Sequence, residues 1–265
     1  MHQLARAWSM PWRLLLIVSA LIGLPMLAHA DQATPVDPLN SPSWYYVRAH
    51  FFDQQKLVFD ERVQVFAPKS AEDPLDVPVM IKANELPDVE EIVIIADLNP
   101  IQKILTYTPK LARPELSFRF KIEQSTPIRA AVRTRDGVWH LGGTWISAAG
   151  GGCTTPSGGS SGLWQGHLGE VSARVWENAS PTANSQRLRL RVIHPMDTGL
   201  AKGVPVFYID RITLRREDGA ELATVQPFEP ISENPVLSFD LQNDGPVRVE
   251  GRDIQGNTFS ATVTP

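Results

Sequence analysis

From Leu116 to Glu123 apolar and polar residues alternate without a break, Leu116, Phe118, Phe120 and Ile122 against Ser117, Arg119, Lys121 and Glu123. The same period of two runs through Arg187–Val192, and through Leu237, Phe239 and Leu241 against Ser238, Asp240 and Gln242. Such a period sends successive side chains to opposite faces of a strand, one wetted and one buried. Val77–Ile81 and Ile92–Ile95 are more continuously apolar and are predicted as central strands. Asp136-Gly137, Asp218-Gly219 and Asp244-Gly245 each sit between strand-like runs and are predicted as hairpin turns. Helix signals are few after Ala30. The pattern predicts an all-β chain of two antiparallel β-sandwich domains, 31–149 and 164–265, joined by a Gly/Ser-rich linker at 150–163. A single sandwich of ten or more strands with one long loop is the alternative. Residues 31–42, with Pro35, Pro38 and Pro42, read as a disordered leader.

The first thirty residues change the picture of where this fold works. Arg6 and Arg13 precede an apolar run from Leu14 to Leu27, and Ala28-His29-Ala30 has the form of an export cleavage site. The apolar run is short for a spanning helix, and Gly23 and Pro25 interrupt it. Cleavage after Ala30 leaves an exported chain in the periplasm, with no membrane insertion thereafter. The whole sequence carries a net charge of −4; loss of the two arginines makes the remainder more acidic still. Nucleic acid and anionic membranes are poor partners for such a surface.

Cys153 is the single cysteine. It cannot form an internal disulfide, so outside the cytosol it is a reactive thiol or a bridge between two copies of the chain. Its surroundings in sequence are Gly150, Gly151 and Gly152 before and Thr154-Thr155-Pro156 after, with no Lys, Arg or His between His140 and His167. A free thiol has a pKa of about 8.5, and nothing local lowers it. A catalytic cysteine needs a base on a rigid scaffold; this one has neither in its own segment. A carrier needs mobility instead. Three glycines supply a hinge, and a Gly/Ser tether of about 13 residues spans roughly 20 Å. A plain linker with an incidental cysteine is the competing reading.

Three stretches carry a resemblance. Ile128 through Cys153, ending Ser147-Ala148-Ala149-Gly150-Gly151-Gly152-Cys153, resembles the C-terminal part of SoxY, the carrier of bacterial sulfur oxidation. Ile94-Ile95-Ala96-Asp97-Leu98-Asn99-Pro100 resembles a segment of the same family. Ile193-His194-Pro195-Met196-Asp197-Thr198-Gly199-Leu200 is similar to the signature of SoxZ, the partner of SoxY. The whole is most similar to fused SoxYZ-like carriers associated with quinoprotein dehydrogenases. The resemblance implies immunoglobulin-like sandwiches and thiosulfate, or a related sulfur species, held covalently on Cys153. It also implies partners: periplasmic sulfur-oxidation enzymes, among them a haem enzyme that loads the thiol, or a quinoprotein dehydrogenase and its cytochrome. No cofactor and no turnover of its own are implied. Here the cysteine is followed by a second domain rather than a chain end, so it enters a partner as a loop, and β-branched Thr154-Thr155 stiffens the outgoing side.

Three functions from different classes follow: a covalent carrier, a non-covalent adaptor for a quinoprotein dehydrogenase, and a thiol enzyme. Of the remaining residues, His194 and Met196 are conceivable soft copper ligands. The stronger reading makes His194, Pro195, Met196, Asp197, Thr198 and Gly199 a structural or docking motif, with Pro195 holding His194 extended. Asp97 and Asn99-Pro100 read as a strand-end turn in preference to a catalytic carboxylate. Trp164 and Trp176 are candidate partner anchors, with core packing the preferred reading for Trp176 beside Val171, Ala173 and Val175. No P-loop, Ser-His-Asp or paired-cysteine motif is present.

Overall fold

The computed structural model describes residues 36–157, 164–177 and 185–265. The export segment, its cleavage site after Ala30, and the linker residues 158–163 lie outside the described residues. In the first half one helix, α1 (Trp44–Phe52), precedes eight strands. These are β1 (Leu57–Phe59), β2 (Gln64–Phe66), β3 (Val77–Lys82), β4 (Val89–Ala96), β5 (Lys103–Pro109), β6 (Ala112–Phe120), β7 (Thr126–Thr134) and β8 (Trp139–Ile146). Seven follow in the second half: β9 (Val171–Glu177), β10 (Gln186–Val192), β11 (Ile209–Arg216), β12 (Glu221–Pro227), β13 (Val236–Leu241), β14 (Val247–Asp253) and β15 (Thr258–Val263). Among the described residues no helix is long and apolar enough to cross a membrane.

The strands form two sheets, and both run through both halves of the chain. The nine-stranded sheet has the order β1-β8-β7-β4-β5-β12-β11-β14-β15, and the six-stranded sheet β2-β3-β6-β13-β10-β9. Among the described residues all ladders are antiparallel except β1 with β8. The all-β expectation holds, but the two sandwiches are fused edge to edge. At the seam β5 pairs with β12, from Leu105↔Pro227 to Pro109↔Ala223, and β6 pairs with β13 through Ser117↔Ser238 and Leu116↔Phe239. Pairing removes the edges each half would otherwise expose. One apolar core runs across the seam, where the Tyr107 and Phe239 rings lie 5.9 Å apart.

The alternating runs behave as their period requires. Leu116, Phe118 and Phe120 point inward from β6, as do Leu188, Leu190 and Val192 from β10 and Leu237, Phe239 and Leu241 from β13. The unbroken run on β4 has a separate cause. Ile92 and Ile94 face the core between the sheets, while Val93 and Ile95 face outward under α1, against Val47, Phe52 and Trp139. Two of the three Asp-Gly pairs make hairpins, β7–β8 and β11–β12, with Gly137 and Gly219 in the left-handed region (φ 79° and 86°). Asp244-Gly245 does not: β13 and β14 belong to different sheets, so this turn crosses the sandwich.

The leader reading is also corrected for residues 36–42. Asp37 is buried and accepts N–H bonds from Leu39 and Ser41 (3.1 and 2.8 Å). Arg129 donates to both Asp37 oxygens (2.8 and 2.7 Å) and through Nε to Asp97 (2.9 Å), and its guanidinium lies 4.6 Å from the centre of a Trp44 ring. This buried Asp–Arg–Asp triad clamps the start of the domain to the end of β4. A proline-rich, weakly apolar stretch hides such a tie, because the partner is 92 residues away.

Candidate functional site

Cys153 lies at the end of the sandwich where β6 gives way to Lys121-Ile122-Glu123. The part of the Gly/Ser tether at residues 150–157 is packed against the domain. Gly151 N–H donates to the Glu123 carbonyl (3.2 Å) and Gly152 N–H to the Ile122 carbonyl (3.0 Å). Gly150 and Gly151 adopt φ of 104° and 90°, which side-chain-bearing residues avoid. At Gly152 a Cβ would stand 2.2 Å from the Pro74 carbonyl oxygen. The glycines therefore serve close approach and left-handed backbone as much as freedom. An arm that the composition describes as a loose tether is laid against the domain.

Carboxylates and hydroxyls fasten this arm. Glu123 accepts from the N–H of Cys153 (2.9 Å), the N–H of Thr154 (3.1 Å) and the Thr154 hydroxyl (3.0 Å). Further along, Ser157 donates its N–H and hydroxyl to Asp197 Oδ1 (3.1 and 2.7 Å). The Thr198 hydroxyl donates to the Cys153 carbonyl (2.6 Å). The thiol points at the Lys121 carbonyl (3.5 Å) and has no exposed surface. Burial pushes its pKa up to about 12, with Glu123 adding to the rise and Lys121 opposing it. Burial thus favours the thiol over the nucleophilic thiolate while the arm is docked.

The two stretches singled out in separate halves of the sequence meet here. The Lys121 ammonium donates to the Met196 carbonyl, and Met196 itself sits at φ 52°, in the left-handed region. Lys121 is almost fully buried; burial lowers its pKa against the pull of Asp197 and Glu233. His194 supports this turn from behind. Its Nδ1 accepts the Met196 N–H (3.0 Å), which leaves the proton of the neutral ring on Nε2. Nε2 lies 3.7 Å from Asp253 and has no hydrogen-bond partner among the described residues. Burial lowers the imidazole to about 4 against the attraction of Asp253. Pro195 is buried and continues the extended entry, and Gly199 (φ 76°) closes the turn, where a Cβ would press within 3.0 Å of Val206.

The Asp-x-Asn-Pro stretch converges on the same place by a different route. Asn99 donates to the Lys121 carbonyl (2.9 Å) and accepts from Glu123 N–H (2.9 Å), so it shapes the very segment on which the arm rests. Asp97 is committed to Arg129, and burial raises its pKa against that cation. The copper idea finds its two donors engaged: Met196 sulfur accepts Ile209 N–H at 3.4 Å and His194 accepts Met196 N–H. Among the described residues no cluster of His, Cys, Asp and Glu is arranged to hold a metal. Trp176 is partly exposed rather than a core residue, and Trp164 meets Phe207 edge-on at 6.2 Å. Lys121, Glu123 and Ser157 escape sequence reading. The one available hint is that Lys121 and Glu123 follow the last inward Phe120 of an alternating strand.

Residues 48–153 match the family model of "Sulfur oxidation protein SoxY", a match that ends on the cysteine, and residues 177–264 match "Sulphur oxidation protein SoxZ". No curated protein matches the chain. Among solved structures it is similar to the sulfur carrier protein SoxY from Chlorobium limicola f thiosulfatophilum. The identity is 19 %, covering 40 % of this chain and 96 % of that one, with a TM-score of 0.35. It is also similar to a beta-glucuronidase from Parabacteroides merdae, 11 % identical, covering 77 % of this chain and 24 % of that one, TM-score 0.23.

Proposed function

We propose, for a chain that joins a SoxY domain to a SoxZ domain, that it is a periplasmic carrier holding a sulfur-containing group on Cys153. The export signal read in residues 1–30 supports the location. The observation that carries the reading is where the thiol sits. Although buried, it belongs to neither apolar cluster among the described residues. It lies under a short arm held by hydrogen bonds to Glu123, Asp197 and Thr198, all of which water can replace.

The docked arm is the empty state. Loading thiosulfate joins the cysteine sulfur to the sulfane sulfur: the S–H bond breaks, a proton leaves, and two electrons pass to the loading haem enzyme. The product, Cys–S–S–SO3−, has no room at a site where the thiol is already sealed. Loading therefore requires the arm to swing out about Gly150–Gly152, and the loaded arm stays out. Once released, the thiol returns toward its ordinary pKa of about 8.5 and offers a few per cent of thiolate at neutral pH. The same release would let two copies bridge through Cys153.

Peptide mapping of protein isolated without reductant tests this. Adducts on the peptide holding Cys153 are expected; an unmodified thiol even after exposure to thiosulfate and an oxidising haem partner refutes it. The second reading, an adaptor for a quinoprotein dehydrogenase, draws on the sealed, protonated thiol itself. Complementation with Cys153→Ser separates the two, since an adaptor keeps its function without the sulfur.

A further inference from the structure

The outer face of the six-stranded sheet carries a row of residues matched strand to strand: Phe66 opposite Met80, Met80 opposite Ser117, Ser117 opposite Ser238, Ser238 opposite Arg189, Arg189 opposite Arg174. One end of the row is apolar, its middle is two short serines, and its far end is cationic. The serines leave a trough of about 530 Å³ between Phe66 and Arg189. Phe66 is 46 % exposed, and Trp176, under the Arg174 guanidinium at 5.3 Å, is 38 % exposed.

The cationic end is unusual in an acidic chain. Like charges directly opposite on neighbouring strands destabilise a sheet. Arg174 and Arg189 are so placed, and Arg191 follows Arg189 on the same face. Among the described residues none of the three has a carboxylate within ion-pair distance. By contrast Arg119 pairs with Asp76 and Arg187 with Asp240. Asp73, Asp76 and Glu233 line a neighbouring hollow with Arg189 and Arg191, but none reaches the three guanidinium groups, so the cationic end stays open to a counter-charge from outside. Exposed tryptophan and arginine beside a hydrophobic groove are the side chains that anchor protein partners.

From this row we infer that the outer face of the six-stranded sheet is a docking surface for a partner protein that lays an acidic segment with an apolar side chain along the trough. The apolar side chain fills the Phe66–Met80 end and the carboxylates meet Arg189 and Arg174. The inference rests on the carrier reading only for its purpose. Arg119, which lines the trough, precedes by two residues the Lys121 carbonyl that receives the Cys153 thiol. A partner seated there stands beside the arm it must receive.

The test uses the whole chain and a synthetic 12-residue peptide alternating Glu and Leu, with an alternating Lys and Leu peptide and anionic phospholipid vesicles as controls. Chemical-shift perturbation should map the acidic peptide to Met80, Ser117, Ser238 and Arg189. Its affinity should fall about tenfold between 50 and 300 mM salt, as screening of exposed charges requires. Arg174→Glu with Arg189→Glu should lower affinity at least tenfold. Arg189→Ser alone should raise the midpoint of thermal unfolding by about 1–3 °C, through relief of the repulsion. No binding of the acidic peptide, shifts on another face, equal binding of the basic peptide, or preference for vesicles would each overturn the inference. Cys153→Ser should bind the peptide like the unaltered chain. Binding that survives while Cys153 never carries an adduct would sink the carrier reading and leave the docking surface standing.

Discussion

Removing the carboxylate of Glu123 tests whether the arm is a latch. The side chain accepts from two N–H groups and one hydroxyl of residues 153 and 154. Each such bond contributes about 0.5–1.5 kcal/mol net, and Thr154 lies at the exposed end, so Glu123→Ala should weaken docking by about 2 kcal/mol. At 1.4 kcal/mol per factor of ten, the released fraction rises roughly 30-fold. Iodoacetamide reads that fraction. With a docked pKa of about 12, about three docked thiols in 10⁵ are thiolate at pH 7.5, against about one in ten for a released thiol at 8.5. Docked protein therefore reacts about 3,000-fold more slowly, quite apart from access, and alkylation proceeds through the released arm. Intact-mass kinetics should show the native chain at least 100-fold slower than its urea-unfolded form, and Glu123→Ala about 30-fold faster than native. Substitution at the remote hairpin tip, Glu217→Ala, should change nothing. A native rate equal to the unfolded rate, or a Glu123→Ala rate equal to native, would refute the latch.

Gly152→Ala places a Cβ about 2 Å from the Pro74 carbonyl; alkylation should approach the unfolded rate while the thermal midpoint moves little. Thr198→Val removes the donor to the Cys153 carbonyl, and a loss of about 1–2 kcal/mol should speed alkylation roughly 5–30-fold. Because the docked thiol is held above its free value, its contribution to docking is full below pH 8.5 and is lost as pH rises toward 12. At pH 10 that loss is about 2 kcal/mol, so subtilisin should cut the arm of the native chain faster than that of Cys153→Ser, which cannot ionise. Arg129→Met strands two buried carboxylates, Asp37 and Asp97; a cost of about 3–5 kcal/mol should lower the thermal midpoint by roughly 6–20 °C. Calorimetry should show a single transition in the native chain, since both sheets cross the seam; two separate transitions would contradict the fused sandwich.

The strands were legible because alternation is a local property, and β6, β10 and β13 bury the residues their period selects. The helix was not. Trp44–Phe52 is rich in aromatic residues, its Ser43 makes no side-chain cap, and its buried set of Trp44, Val47 and Phe52 is too sparse to declare a helical face. The seam was hidden for a related reason. The seam strands β5 and β12 read like any other strand, and nothing within either segment names a partner more than a hundred residues away. For the site, the lone thiol marked Cys153 and the resemblance marked the 194–199 stretch, while composition showed only the freedom of the glycines and not their close contacts. Gly-rich sequence signals both freedom and close contact, and only the Pro74 carbonyl beside Gly152 distinguishes them. The docking of the arm depends on Glu123, Asn99 and Thr198, three ordinary polar residues from three separate stretches.

Amide hydrogen exchange at Cys153 and Thr154, measured on one sample before and after loading with thiosulfate and an oxidising haem partner, tests the central claim most directly, with intact mass recorded alongside. The carrier account predicts slow exchange at both amides in the empty chain, a mass gain of one thiosulfate on Cys153, and fast exchange at both amides once loaded. No mass gain, or a gain with the arm still protected, would contradict it.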